Sequence, residues 1–425
     1  RKTTKQIGED LGVGFVLEGT VRWDRRSGGE GRVRITPQLI RVADDTHMWA
    51  DSYERVLDDV FAVQSEIAAE VVGQLGVTLL PDEREAVAVR PTENMDAYQA
   101  YLRGLEWHSN PDFATEALHL AAQMFERAVA LDPSFVDAHA LLSEAHSALY
   151  HFQEDLSPGR LARAKAAAER ALELAPNSPA AHRALGYYHY YGQRDYERAL
   201  EELDLAARLL PNDSGIVEAI AFVHRRQGRF EEALVGLKTA VDLDPRNAQT
   251  VLSLAETYDD LRRFAEAEPY YERSISLAPD QVRAYWYKAA GYISWSGSLE
   301  KARATLERAP NVSPADYALA WFGQEMCERN PRAALERLAD APESLFPLLP
   351  RSLLEGFVYW LLDERQQAQA SCEAARIFLE KAAEETPDDP DVHSYLGWTY
   401  ACLGRKAEAI REAERAVELL PVSRD

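Results

Sequence analysis

A proline recurs along this chain at nearly constant intervals, at Pro133, Pro176, Pro211, Pro245, Pro279, Pro387 and Pro421. The first five are spaced by 43, 35, 34 and 34 residues, and the last two again by 34. The residues in front of each proline recur with it. Five positions before stand Ala128, Ala171, Ala206, Ala240, Ser274, Ala382 and Ala416. Twelve before stand Ala121, Ala164, Ala199, Ala233, Ala267, Ala375 and Ala409. Eight before, the residue is small or apolar: Phe125, Ala168, Leu203, Leu237, Tyr271, Leu379 and Ala413. A fixed period of this length points to stacked copies of one supersecondary unit, because a single copy cannot bury its own apolar face.

Each copy reads as two antiparallel helices. Small residues let the first helix approach the second, larger ones fill the gap, and the proline stops the second helix. First helices carry a matching pattern in "AHRALGYYHY" (181–190) and "VHSYLGWTY" (392–400), with the pairs Leu185-Gly186 and Leu396-Gly397. The fold expected is mainly α. About eight helical hairpins fill 95–425, degenerate around 280–386, where "GSLEKARATLERA" keeps Ala302, Leu306 and Ala309 without the proline spacing.

Residues 1–80 follow another grammar. "TTKQIGEDLG" predicts a short helix ending at Gly12, and "VGFVLEGTVRW" alternates Val13, Phe15, Leu17, Gly19 and Val21 on one face of a strand. "RRSGGEG" predicts a hairpin turn, "RVRITPQLIRV" a second strand and "HMWADSYER" a third. A helix is expected over about 58–76. The stretch 81–94, begun by Pro81 and carrying Pro91, reads as a linker.

The 34-residue period with these residues resembles the tetratricopeptide repeat, which implies a right-handed solenoid. "LGVGFVLEGTVRW…RVRITPQLIRVADDTHMWADSYERVLDDVFAVQSEIA" resembles the second half of the TolB-amino-terminal-like domain, so 1–80 is expected to be a small α+β fragment of it. That domain precedes tetratricopeptide arrays in bacterial signalling proteins whose output is a serine/threonine kinase, a class III adenylate cyclase or a winged-helix regulator. The resemblance implies a regulatory region on the outer face of a bacterial membrane, with a cytoplasmic scaffold as the alternative. It names none of the three outputs, since no such module is present.

Net charge is −23, of which −3 falls on residues 1–80 and −20 on the remainder. A nucleic-acid backbone or anionic lipid surface is therefore not the expected partner. No run of eighteen apolar residues occurs, so no direct membrane insertion is expected of this chain. Cys327, Cys372 and Cys402 are odd in number and lack CxxC spacing. Neither a disulfide framework nor a zinc site is expected, and each reads as a small buried apolar residue.

No Walker A string, HExxH or G-x-S-x-G occurs, and "GVGFVLEG" misses the dinucleotide fingerprint, so neither catalysis nor a cofactor is expected. His139 and His146, like His182 and His189, stand two helical turns apart. Tyr258, Tyr292 and Tyr400 occupy the slot of His146, His189 and His224, which makes it a packing slot with a polar tip rather than a metal ladder.

The candidate site is the solenoid groove. Slots 2, 5, 9 and 12 of each first helix are expected to face it. They give Arg183, Tyr187 and Tyr190, then Glu218, Phe222 and Arg225, then Glu256 and Asp259, then Arg283, Trp286 and Ile293, and finally Ser394 and Trp398. Aromatic and Arg side chains recur at binding hot spots because they desolvate much area and keep a polar tip. Arg183, Tyr187, Tyr190, Phe222, Arg225, Arg283, Trp286 and Trp398 are the predicted partner contacts, and a protein or peptide segment is the expected ligand. The alternative is a structural, self-assembling homo-oligomer or filament joined through a sheet edge or the solenoid ends.

Overall fold

The computed structural model describes residues 3–24, 32–56, 60–76, 90–108, 115–152, 157–311, 314–346 and 348–420. The predicted hairpin turn at 25–31 and most of the predicted linker lie outside them. Two compact units result, one of residues 1–99 with 130–135, the other of 100–129 with 136–425.

In the first unit, α1 (Thr4–Leu11) precedes four strands, β1 (Phe15–Asp24), β2 (Arg32–Arg41), β3 (Thr46–Ala50) and β4 (Tyr53–Val56), and then α2 (Val60–Gln74). β2 is the centre of the sheet. It pairs antiparallel with β1 along its whole length, while β3 takes its Gln38–Arg41 end and β4 its Arg32–Ile35 end. The expected third strand is thus two strands, broken at 51–52, where the Asp51 amide donates to the Pro37 carbonyl at 3.2 Å. Val33, Leu39, Ile40, Val42, Tyr53 and Val63 are buried, whereas Phe15, Leu17 and Val21 on β1 are exposed. Asn94 starts the next helix by accepting from the Asp96 and Ala97 amides at 3.0 Å, and its own amide reaches the Leu131 carbonyl at 2.9 Å.

That helix, α3 (Met95–His108), is followed by α4 (Thr115–Leu131). Eight hairpins come next: α5 (Val136–His151) with α6 (Pro158–Leu174), α7 (Pro179–Tyr187) with α8 (Tyr196–Leu209), α9 (Ser214–Arg226) with α10 (Phe230–Leu243), and α11 (Ala248–Asp260) with α12 (Phe264–Leu277). The rest are α13 (Val282–Ser296) with α14 (Leu299–Leu306), α15 (Pro314–Cys327) with α16 (Pro331–Leu338), α17 (Arg351–Leu361) with α18 (Arg365–Glu385), and α19 (Pro390–Cys402) with α20 (Lys406–Leu419). The fold is a tetratricopeptide-type helical solenoid, mainly α, with a small amino-terminal sheet. In the degenerate stretch the second helices α14 and α16 shrink to 8 residues each, and a two-stranded ribbon, β5 (Ser344–Phe346) with β6 (Leu349–Pro350), precedes α17.

The recurring residues do the packing. Phe125, Ala168, Leu203, Leu237 and Leu379 are fully buried, as are the alanines at 121, 164, 199, 233 and 375. Gly186 is needed where it stands, since a Cβ there would lie 2.7 Å from Leu203 Cγ. The turn within a hairpin needs one residue in the left-handed region. Gly228 (φ 72°) and Gly404 (φ 73°) supply it without strain, while Arg194, Arg262, Arg329 and Asp363 adopt it at φ 52–60°.

One sequence expectation fails here. Cys372 on α18 and Cys402 at the end of α19 form a disulfide with Cα atoms 6.3 Å apart, and Cys327 is exposed rather than buried. Their spacing of 30 residues carries no motif. Stacking α18 of one hairpin against α19 of the next brings them together.

Candidate binding groove

First helices of successive hairpins stack side by side, so their exposed slots form one surface. Between α3 and the α11–α12 hairpin this surface forms a half-open cavity of about 790 Å³. Leu105 and His108 of α3, Glu144 of α5, Arg183 and Tyr187 of α7, Glu218 and Phe222 of α9, and Gln249 of α11 line it, together with Tyr191.

Tyr191 enters through a local irregularity. After α7 the helix continues as a π-helical turn, Tyr188–Gln193, ended by Arg194 in the left-handed region. A π turn accommodates one extra residue. The Pro176–Pro211 interval is 35 residues, one more than the two that follow it. The insertion advances the helix face by one position. Tyr190, predicted to face the groove, is instead 4% exposed within the cluster of Ala199, Leu203, Ala219 and Val223. Tyr191 takes its place, its ring 5.2 Å from that of Tyr187 and stacked on His151 at 4.1 Å.

The predicted arginines are present but engaged. Arg183 Nε donates to Glu144 Oε1 at 2.8 Å, and its guanidinium lies 3.6 Å from Asp213. Glu256 sits between Arg225 at 3.8 Å and Arg283 at 3.6 Å, an Arg–Glu–Arg ladder across α9, α11 and α13. Arg225 also donates to the Thr257 hydroxyl at 3.2 Å and lies over the Phe222 ring at 5.2 Å. Arg283 lies over Tyr287 at 5.5 Å. These cations order the groove wall, each answering an acid on a neighbouring first helix.

Arg225, Arg283, Trp286 and Trp398 do not line the cavity. Trp286 stacks on Tyr287 at 5.7 Å, and Trp398, half exposed, meets Tyr395 and Phe357 edge-on at 5.7 and 6.4 Å. Of the eight predicted contacts, the structure brings together Arg183, Tyr187 and Phe222. Sequence reasoning did not single out His108, Glu144 or Tyr191, and only the 35-residue interval carried a trace of the last.

Two cavity groups are incompletely bonded. Glu218 takes a hydrogen bond from Thr250, yet its Oε1 has no partner. Burial pushes its carboxyl up to about 7, and neighbouring Asp244 adds to this while Arg225 and Arg183 oppose it. His108 places Nε2 3.8 Å from Glu144, and its Nδ1 has no partner. Burial outweighs Glu144 there and lowers the imidazole pKa, so the ring is neutral at pH 7. Among the described residues no group of three or more His, Cys, Asp or Glu could hold a metal ion, and no helix is long and apolar enough to cross a membrane.

Tetratricopeptide-repeat family models match residues 151–214, 224–292 and 390–421. Among curated proteins, the chain is 31% identical over 182 residues to "Putative adenylate cyclase 3" of Rhizobium meliloti, a match covering 43% of this chain and 30% of that protein. It is 23% identical over 205 residues to the human mitochondrial import receptor subunit TOM70, covering 45% of this chain and 33% of that one. The chain thus spans about a third of the length of either relative. Solved structures with a similar fold include the human IFIT1 dimer with PPP-AAAA (16% identity, TM-score 0.48, 83% of this chain and 76% of that one). Another is YrrB, described as a TPR protein with an unusual peptide-binding site (20% identity, TM-score 0.34, 48% of this chain and 99% of that one). Repeat period, hairpin packing and the matched family models agree that this chain carries tetratricopeptide repeats.

Proposed function

We propose that the chain is the non-catalytic interaction region of a bacterial signalling protein, and that it holds an extended protein or peptide segment in the groove between α3 and α11. The cavity carries this reading. Its aromatic floor of Tyr187, Tyr191 and Phe222 offers large apolar area, and polar groups around it remain open to a ligand. The likeness to a protein named as an adenylate cyclase supports the signalling context, and the net charge of −23 favours a polypeptide over a nucleic acid.

The test is capture of a partner from the source cell by the wild-type chain and by the double variant Tyr187→Ala/Phe222→Ala. Trp398→Ala serves as the control, because Trp398 is exposed but outside the cavity. Capture lost with the double variant and kept with the control, at unchanged helical content, is the expected result. Capture that survives the double variant places the interaction elsewhere. Light scattering on the purified chain separates the self-assembling alternative, which requires mass to grow with concentration.

A further inference from the structure

We infer that the groove takes a basic side chain, lysine or arginine, from the bound segment, and that Glu218 is the group that receives it. This deepens the groove reading above and rests on it.

Of the two cavity atoms without partners, Glu218 Oε1 is an acceptor whenever its carboxyl is ionised. Glu218 Oε1 lacks a donor, and the other bond to this carboxyl comes from Thr250. His108 Nε2 lies 3.8 Å from the Glu144 carboxylate, too far for a hydrogen bond, so the open Nδ1 can accept or donate according to the tautomer a ligand selects. A ligand that completes the ionised Glu218 must bring a donor. Ammonium and guanidinium groups are donors with no acceptor atoms, whereas a carboxylate or phosphate would add lone pairs where lone pairs are already unmet.

Arg183 and Arg225 favour the charged form of Glu218 from a distance, but neither bonds to its Oε1. Arg183 is bonded to Glu144 and close to Asp213, and Arg225 is held by Thr257 and Glu256. Each has its own acid, so Glu218 is the member of the wall left over. Tyr187, Tyr191 and Phe222 line the same cavity and suit both halves of a long basic side chain, the apolar stem by contact and the charge by its attraction to ring faces.

The experiment is selection of short random peptides on the intact chain, followed by affinity measurement on synthetic copies. The expected result is a shared position occupied by lysine or arginine. Norleucine at that position, and separately Glu218→Gln in the protein, should each weaken binding by about tenfold or more. Should Glu218→Gln fail to fold, the lysine-to-norleucine comparison on the wild-type chain decides alone. Peptides that bind equally well with norleucine overturn the inference and leave the groove reading standing. Peptides that bind the Tyr187→Ala/Phe222→Ala chain unchanged, or a single-stranded RNA oligonucleotide that displaces them, overturn both.

Discussion

Arg183 Nε donates to Glu144 Oε1 at 2.8 Å although 39 residues separate them. The bond joins α7 to α5, first helices of successive hairpins, and Glu144 is 6% exposed. Arg183→Ala therefore strands a buried carboxylate rather than trimming the surface. A loss of about 3 kcal/mol is expected in urea unfolding, and Arg183→Met combined with Glu144→Leu should cost less than Arg183→Ala alone. A cycle with no coupling between the two positions would contradict the pairing.

The left-handed turn residues give a second test. Gly228 has open space around the Cβ that an alanine would add, so any cost of Gly228→Ala comes from its φ of 72°. That cost should be about 1 kcal/mol. At Arg262, φ 57°, the sign reverses, and Arg262→Gly should raise the denaturation midpoint by relieving a similar strain. Equal responses at the two turns would refute this account.

The period of the prolines made the packing legible. Leu203 and Ala199 face neighbouring helices because every copy needs a small or filling residue there, and both are fully buried. The groove was legible only in part, because its residues are not bound by the period. Tyr187 and Phe222 fell where the slots predicted. Tyr190 did not, since one inserted residue turns the face through a π-helical turn. The arginines were found as residues but not as partners, because the acids that hold them, Glu144 and Glu256, sit on other copies. Pairing between copies also hid the Cys372–Cys402 bond.

That disulfide closes a loop of 30 residues between α18 and α19. By the chain-entropy relation such a closure stabilises by about 3 to 4 kcal/mol. Cys402→Ala is the variant of choice, because Cys372 is fully buried and Cys402 is not. It should lower the protection of α18 and α19 from hydrogen exchange, as a reductant does to the parent, and the reductant should then add nothing. A non-reducing digest without a cross-linked 372–402 peptide would end the argument.

Glu218 makes stability depend on pH in a stated direction. Its carboxyl titrates near the ordinary 4.5 when unfolded and at about 7 when folded, because the cavity wall desolvates the charge. Between those values the folded chain holds a proton that the unfolded chain has released. Stability therefore falls as pH rises from about 4.5 through 7 and is level beyond. Thr250, Arg225 and Arg183 favour the charged form and Asp244 the neutral one, and burial outweighs them. Burial raises the Glu256 carboxyl as well, so the informative quantity is the difference between parent and Glu218→Gln. Near pH 4 the two should match. Near pH 8 the variant should be more stable by about 3 kcal/mol. A difference that does not change with pH would mean that the folded carboxyl titrates like a free one, and that the acceptor left open in the groove is already solvated.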